Sequence, residues 1–439
     1  MTISKTRYVL LGLALVALGC GSAAQEKKSA QPNIEAKPIL RAGTSGNYPP
    51  ISVWKGTRAQ GFAPELLDAF ATAERSEISW TKFVWGDLVP DMRAGRFDVA
   101  ADGITVVPEK SIVGRFSVPI ARGAAVLLLK RPTWARAIKA DADPKATARA
   151  LDRKELRIAV YPGGRLDAVT RSLFRAAKVV PLRDTTKARD MIARGEIDAA
   201  MSDTFEVLRW SEGLSGVERI GPLGHDTMAF WLSAERADLA EKLDGWLLDQ
   251  EARGGLGKAR LAVIGPGGGT ETARPSSALI ASSVELFGLA PVVAAARKRA
   301  GRPVVDRADD DRFVAAAASA VAKAASDHGL AAPPPARVEA LFRAQVDASN
   351  ALAERAALDG GEPAVLDLDK EVRPAIQRIV ARMAFVLVRF TARAPDAVTA
   401  EVQEDLVDTG LDRAMIDRRG AARASRPLRS RARRPSECC

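Results

Sequence analysis

The feature that most constrains the fold is a change of pattern at a glycine-rich segment, residues 265–277. Before it, from residue 39 to residue 264, short apolar runs typical of buried strands alternate with stretches whose apolar residues recur at helical spacing. After it the strand patterns end and alanine dominates. Long helical patterns then cover residues 279–299, 310–328, 336–357 and 368–392, with a weaker one near 396–415.

This change predicts two kinds of structure in one chain. Alternating strands and helices favour an α/β domain, and an interruption near residues 135–152 divides it into two lobes. Consecutive long helices with short breaks favour an all-α helical bundle. The predicted segments are an export signal with a lipobox (1–20), a tether (21–38), the α/β domain (39–264), a linker (265–277), the helical domain (278–415) and a basic disordered tail (416–439).

The N-terminus has the pattern of an export signal. Lys5 and Arg7 precede an apolar run over residues 8–18, which is too short to span a bilayer. The residues that end at Cys20 resemble a bacterial lipobox, in which Cys20 is acylated and anchors the protein to the membrane; simple cleavage is the alternative. We therefore expect a periplasmic protein, anchored by a lipid.

Cysteine and histidine usage argues against a disulfide framework or a metal site. Cys438 and Cys439 are adjacent and cannot cross-link a domain, and the histidines, His225 and His328, are far apart in the chain. The formal net charge is +11, but residues 418–439 hold eight arginines and one glutamate without apolar periodicity. We expect a solvated tail rather than a nucleic-acid surface. The pattern predicts no cofactor and leaves the oligomeric state open.

One stretch of the second lobe, from Arg157 to Lys178, combines a short strand, a Pro-Gly-Gly turn and a helical pattern over residues 166–178. Such a turn presents backbone N–H groups to an anion. It is not a nucleotide cradle, because it lacks a third glycine at the dinucleotide spacing and a Gly-Lys-Ser/Thr sequence. Asp167, in the first helical turn, either stabilises the helix dipole or takes part in chemistry.

Five stretches match, in order, a known fold. Together they resemble the periplasmic solute-binding fold of the amino-acid type, and within it cyclohexadienyl (prephenate/arogenate) dehydratase. The resemblance implies a small-molecule substrate held between two lobes, with a solute-binding protein for an amino acid or small carboxylate as the alternative. The stretches cover residues 43–50, 93–105, 108–120, 160–169 and 194–206.

Several residues of the first lobe are candidates for the ligand site. Thr44 and Asn47 follow a strand, where hydroxyl and amide groups face a cleft at the carboxyl ends of the strands. Tyr48 either forms a flat wall of the cleft or packs its aromatic edge against neighbouring residues. Trp85 either forms part of the wall or lies in the apolar core. The resemblance implies that Thr105 and Lys110 hold the ligand carboxylate, although the family commonly has arginine where Lys110 stands.

The second lobe would supply the remaining groups of this site. The resemblance implies that Asp203 meets the ligand ammonium, unless Asp203 only caps a helix. Gly163, Gly164 and Arg165 form the loop that would approach the ligand. Asp167 stands where the dehydratase has a glutamate that acts as general acid. Loss of the ring hydroxyl of prephenate needs such a proton donor, and Asp is shorter than Glu by about 1.5 Å.

Two helices of the predicted bundle place polar groups on apolar faces. Gln345 and Ser349 lie in one apolar stripe, and Arg382 lies in another. A buried arginine is costly unless it is paired, so Arg382 either binds an anion inside the bundle or forms a salt bridge to another helix.

Over residues 277–415 the helices resemble the secreted, helical class of chorismate mutase. The resemblance implies that Arg382, Arg312 and Lys298 or Arg297 grip the carboxylates of chorismate, with Gln345 and Ser349 beside them. Glu285 stands where the family has an arginine, and Asp309 replaces Arg312 if the loop has no insertion. We therefore expect weak or absent mutase activity. The mutase product is the dehydratase substrate, which gives the fusion a chemical reason.

Overall fold

The computed structural model of the protein describes residues 37–139, 141, 143–265, 269, 272–358 and 366–392. The predicted export signal with Cys20, most of the tether, the weak pattern near 396–415 and the basic tail lie outside the described residues.

The strands are numbered in chain order. They are β1 (Ile39–Thr44), β2 (Asn47–Tyr48), β3 (Ser52–Lys55), β4 (Arg58–Gln60), β5 (Glu77–Lys82), β6 (Val99–Thr105), β7 (Gly114–Phe116), β8 (Ala121–Gly123), β9 (Ala125–Lys130), β10 (Arg157–Val160), β11 (Lys178–Pro181), β12 (Ala199–Asp203), β13 (Val217–Ile220) and β14 (Asp226–Ser233).

The helices are numbered in the same way, and one π-helical turn (Leu368–Val372) precedes the last of them. They are α1 (Phe62–Ala73), α2 (Leu88–Arg93), α3 (Pro108–Val113), α4 (Pro144–Leu151), α5 (Arg165–Leu173), α6 (Ala188–Ala193), α7 (Val207–Ser211), α8 (Ala237–Ala252), α9 (Gly255–Val263), α10 (Pro275–Arg299), α11 (Arg307–Asp327), α12 (Pro335–Leu358) and α13 (Arg373–Ala392).

Two sheets form the two lobes. The sheet of lobe 1 has the order β5-β1-β6-β14-β7, with β8 beside β14, and the sheet of lobe 2 has the order β11-β10-β12-β9-β13. In each sheet three strands run parallel, because helices connect them, and the strand that returns from the other lobe is antiparallel. The chain passes from lobe 1 to lobe 2 after β8 and returns after β13.

The helices α10 to α13 pack on lobe 1 and share its core. One buried apolar cluster includes Phe70 and Phe230 of lobe 1 together with Leu279 and Phe385 of the helices. Helix α10 is long and apolar enough to cross a membrane, but most of it is buried in the protein, as expected of a core helix. It begins at Pro275, inside the segment predicted as a linker.

Helix α5 is shorter than its sequence pattern predicts. The pattern extends to residue 178, whereas the helix ends at Leu173. The reason is the carboxylate of Asp152, which accepts hydrogen bonds from the N–H groups of Arg175 (2.9 Å), Ala176 (2.8 Å) and Ala177 (3.0 Å). These bonds hold the chain in a turn that leads into β11.

A buried ion pair within the helical bundle also makes hydrogen bonds to lobe 1. The Arg382 guanidinium donates to the carboxylate of Glu285 and, at 2.8 Å, to the carbonyl oxygen of Phe116 in lobe 1. Glu285 also accepts from the Ser111 hydroxyl at 2.7 Å. The structure thus has the alternative expected for Arg382, a salt bridge to another helix, and Arg382 does not line the cavity in the bundle, so its expected role as a ligand for chorismate gains no support.

Removal of one partner of this pair should destabilise the whole fold. Arg382→Ala leaves the Glu285 carboxylate buried without its cation, and we expect a loss of about 3–5 kcal/mol in the free energy of unfolding. Urea denaturation measures it, with Lys323→Ala, a change at an exposed side chain of α11, as the control. Equal unfolding midpoints for Arg382→Ala and wild type would contradict this account of the interface.

Candidate functional site

A cavity of about 400 Å³ lies between the two lobes. Strands β6 and β12 end at it with Thr105 and Asp203, and the turn after β1 and the glycine loop after β10 also contribute. The carboxyl ends of parallel strands meet at this edge of each sheet, which is why polar side chains from distant parts of the sequence converge here.

Most of the residues that the sequence nominated for this site line the cavity. The exception in lobe 1 is Thr44, which is fully buried and is not part of the cavity wall. The lining residues that were predicted are Asn47, Tyr48, Trp85, Thr105, Lys110, Gly163, Gly164, Arg165 and Asp203.

Three contacts connect the lobes across the cavity. The Tyr48 hydroxyl donates to Asp203, and the Thr185 hydroxyl donates to the carbonyl oxygen of Asn47 at 3.2 Å. Arg165 donates from Nε to Oδ1 of Asp226 at 3.1 Å. The lobes are thus held together by polar groups at the cavity, which a bound ligand can also use.

The aromatic wall of the cavity is formed by Tyr48 and Trp85. Their rings meet edge to face at 6.4 Å, and the indole N–H of Trp85 donates to the Asn47 side chain at 3.3 Å. Trp85 also packs on Phe83, so it serves both as core and as wall. Gly103, which also lines the cavity, has a φ of +57°, and a Cβ there would come within 2.9 Å of Ile51 and 3.4 Å of Tyr48.

The cavity contains a pair of neighbouring acids, of which the sequence nominated only Asp203. Glu206, three residues later, is 3% exposed and also lines the cavity. Burial raises the pKa of Asp203 to about 6, and burial together with the charge of Asp203 raises the pKa of Glu206 well above its ordinary value. The cavity thus offers one carboxyl group, that of Glu206, that is protonated near neutral pH.

A third buried acid, Asp102, supports the wall of the cavity from behind. It accepts hydrogen bonds from the backbone N–H of Ser45 and from the Ser52 hydroxyl, and so holds the turn that presents Asn47 and Tyr48. Burial raises its pKa to about 6, although the bonds from Ser45 and Ser52 act in the opposite direction.

Asp167, the acid predicted from the dehydratase resemblance, is not part of the cavity wall. Its carboxylate accepts from the backbone N–H of Gly163 at 3.1 Å and from Nε of Arg171 at 2.9 Å. Arg171 lies four residues later on α5, the spacing at which helical side chains pair. Asp167 therefore holds the Pro-Gly-Gly turn, in which Gly163 has a φ of +80°.

A second cavity, of about 300 Å³, lies inside the helical bundle. It is lined by four residues that the mutase resemblance nominated, Arg297, Arg312, Gln345 and Ser349. Lys298 is exposed on α10 and does not line it, so the alternative in which Arg297 takes that role fits the geometry better.

The bundle cavity also contains Asp309, which the sequence named only as the alternative to Arg312. Asp309 accepts from Arg297 (3.2 Å), Arg312 (3.0 Å) and Arg373 (2.9 Å). Burial acts to raise the pKa of Asp309, but the bonds and charges of Arg373 and the other two arginines lower it overall. Asp309 is thus ionised, and it already pairs with the three arginines that an anionic ligand in this cavity would need.

Asp310 has a similar position on the same helix. Its carboxylate accepts from Arg297 at 3.0 Å and from the side-chain amide of Asn350 at 2.7 Å. Among the residues that the structure describes, no group of three or more His, Cys, Asp or Glu side chains is arranged to hold a metal ion.

The family model of the bacterial extracellular solute-binding proteins, family 3, matches residues 40–332. The chain belongs to this family. The match confirms the predicted fold class, a two-lobed α/β domain of the periplasmic-binding-protein type followed by helices, and it extends into the first helices of the bundle.

Known relatives of this solute-binding protein include an enzyme and a binding protein. The chain is 25% identical over 253 residues to cyclohexadienyl dehydratase of Pseudomonas aeruginosa, a match that covers 56% of this chain and 91% of that protein. It is 24% identical over 205 residues to the ABC transporter arginine-binding protein 1 of Escherichia coli, which covers 46% of this chain and 74% of that protein.

Solved structures of similar fold include an ancestral amino acid-binding protein described as a precursor of cyclohexadienyl dehydratase. The identity is 21% and the TM-score is 0.45, over 52% of this chain and 95% of that chain.

The buried acid Asp102 should make the stability of this solute-binding protein depend on pH. Its pKa is raised in the folded state, so folding favours the protonated form, and stability is lost as pH rises from about 4 through about 6. Asp102→Asn removes this contribution. We expect the stability of wild type relative to the variant to fall by roughly 3 kcal/mol between pH 4 and pH 7. Urea denaturation across this range measures it; a constant difference would argue against a raised pKa.

Proposed function

We propose that the cavity between the lobes is the active site of a prephenate/arogenate dehydratase. The observation that carries this proposal is the combination of cations and protonated acid in one cavity: Lys110 from lobe 1 and Arg165 from lobe 2 lie on its wall together with the buried carboxyl groups of Asp203 and Glu206. Cations suit the carboxylates of the substrate, and a protonated carboxyl group suits departure of its ring hydroxyl.

The apolar part of the cavity fits the ring of such a substrate. Trp85, Leu88 and Val89 are among the apolar residues that line it. The similarity to the Pseudomonas dehydratase over most of its length is the second support. The reaction would require no cofactor, because the substrate supplies the electrons that aromatise its ring.

A second candidate function is the binding of an amino acid without chemistry. It is favoured by the position of Asp167, which is engaged with Arg171 outside the cavity wall. An acid at Asp203 and a cation at Lys110 would suit the ammonium and carboxylate groups of an amino acid. The similarity to the arginine-binding protein of Escherichia coli supports this candidate as well.

For the helical bundle we propose weak chorismate mutase activity. The bundle cavity contains Arg297, Arg312 and Gln345, donors that suit the carboxylates and ether oxygen of chorismate. The activity should be weak because chorismate must compete with Asp309 for the same arginines.

The dehydratase proposal predicts that purified protein converts prephenate to phenylpyruvate, or arogenate to phenylalanine. Lys110→Ala should raise KM roughly 10- to 100-fold, because a hydrogen bond to a charged group is worth about 1.5–3 kcal/mol. Lys130→Ala, a change at an exposed lysine of lobe 2, is the matched control. Absence of turnover by wild type, with amino-acid binding detected by calorimetry, would favour the second candidate.

The mutase proposal predicts slow consumption of chorismate by wild type. Arg312→Ala should lower kcat/KM about tenfold or more, because a charged hydrogen-bond donor is lost. The Arg312 side chain is exposed, so we expect the variant to fold as wild type does. Lys298→Ala, outside the cavity, is the control and should leave the rate unchanged. Equal loss in both variants would show that the cavity is not the site.

A further inference from the structure

Glu206 is a buried carboxyl group that the sequence analysis did not assign to the site. It follows strand β12 and lines the cavity between the lobes, and it is 3% exposed. Its Oε1 atom is buried and has no hydrogen-bond partner among the residues that the structure describes. A buried polar atom without a partner is costly, so such an atom at a cavity points to a group that acts on a ligand.

The neighbouring acid, Asp203, has the opposite environment. Its Oδ1 accepts from the backbone N–H of Phe205 at 2.7 Å and of Glu206 at 3.1 Å, and its Oδ2 accepts from the Tyr48 hydroxyl. Donors to a carboxylate stabilise its charged form. Two adjacent buried carboxyl groups do not both ionise readily, so the negative charge of the pair resides on Asp203 and the proton on Glu206.

The charged and titratable groups around Glu206 agree with this distribution. The negative charges of Asp203 and Asp102 raise the pKa of Glu206 and so favour its protonated form, whereas the positive charge of Arg209 on α7 lowers this pKa. Lys110, Arg165 and Asp226 line the same cavity. Burial is the largest influence on the pKa of Glu206 and raises it.

We propose that Glu206, rather than Asp167, donates the proton to the leaving hydroxyl group of the substrate. This inference rests on the proposed dehydratase function. The bond from the ring to its carboxylate breaks, and its electron pair enters the ring. The ring C–O bond breaks at the same time, and the departing oxygen takes the proton of Glu206 and leaves as water. Carbon dioxide and the aromatic product remain, and Glu206 regains a proton from solvent.

Glu206 has the side-chain length and the position at the cavity that Asp167 lacks. Asp167 is shorter than a glutamate and is occupied by Gly163 and Arg171. Glu206 has the longer side chain and lies on the same side of the cavity as Asp203, so the proton donor and a fixed negative charge come from one segment of lobe 2.

Glu206→Gln tests this assignment, because glutamine keeps the shape but has no acidic proton. We expect kcat to fall about 100-fold or more, with KM within about threefold of wild type. In wild type, kcat should fall as pH rises through the pKa of the acid, and in Glu206→Gln this dependence should disappear. Glu196→Gln, an exposed glutamate of lobe 2, is the matched control.

Two measurements separate loss of a proton donor from loss of structure. The melting temperature and the calorimetric affinity for phenylpyruvate should be similar for Glu206→Gln and wild type. As a further check, Glu206→Asp, which keeps an acidic proton, should retain intermediate activity. If wild type turns over prephenate and Glu206→Gln keeps kcat within about threefold, or if Asp167→Asn alone removes activity, this inference is wrong although the dehydratase proposal stands. If wild type shows no turnover, the dehydratase proposal fails and this inference fails with it.

Discussion

The buried pair of Glu285 and Arg382 is the interaction on which the arrangement of the rest depends. Glu285 accepts from Arg382 of α13 and from Ser111 of α3, so one carboxylate binds two helices that are far apart in the sequence. Arg378, one turn before Arg382, donates to the carbonyl oxygens of Ser111 (3.0 Å) and Ile112 (2.8 Å). Because α3 carries Lys110, the helical bundle braces the part of lobe 1 that forms the wall of the ligand cavity. An isolated pair of buried charges contributes little net stability, but it specifies this docking geometry.

The region of the cavity between the lobes brings together acids whose charged forms would repel one another. Asp102, Asp203 and Glu206 are buried near one another, and three ionised carboxylates at this depth would repel strongly. Backbone N–H groups and hydroxyls stabilise charge on Asp203 and Asp102, whereas within the described part of the chain Glu206 has no such donor at Oε1. The distribution of donors, more than the identity of the acids, therefore determines which of them carries a proton.

Periodicity predicted the two-lobed fold and the helical bundle well, because apolar spacing reflects burial directly. It also predicted the cavity, since residues that follow parallel strands, such as Thr105 and Asp203, must lie at one edge of a sheet. It did not predict that the side chain of Asp167 pairs with Arg171 instead of lining the cavity, although the i+4 position of Arg171 was a signal for this pair. Glu206 was missed because a glutamate at a helix start is usually a surface residue; its closeness to Asp203 was the available signal.

The pairing of charges in the bundle shows why local patterns were insufficient there. The sequence singled out Arg382 as a charge on an apolar stripe and Glu285 as a reversal of a family arginine, but the two are 97 residues apart, and no local spacing relates them. Once they pair with each other, the cations left for the bundle cavity are Arg297, Arg312 and Arg373, all of which contact Asp309.

The two cavities are joined physically by α3. Lys110 lines the cavity between the lobes, and Ile112, two residues later, packs against a bundle cluster that contains Leu368, a residue of the second cavity's wall. Arg378 fixes the end of α3 through backbone carbonyl oxygens, so this short helix has little freedom to move by itself. The cluster around Leu368 and the bonds from Arg378 therefore connect the bundle to the helix that carries Lys110. The position of Lys110 in lobe 1 thus depends in part on contacts that the bundle makes with α3.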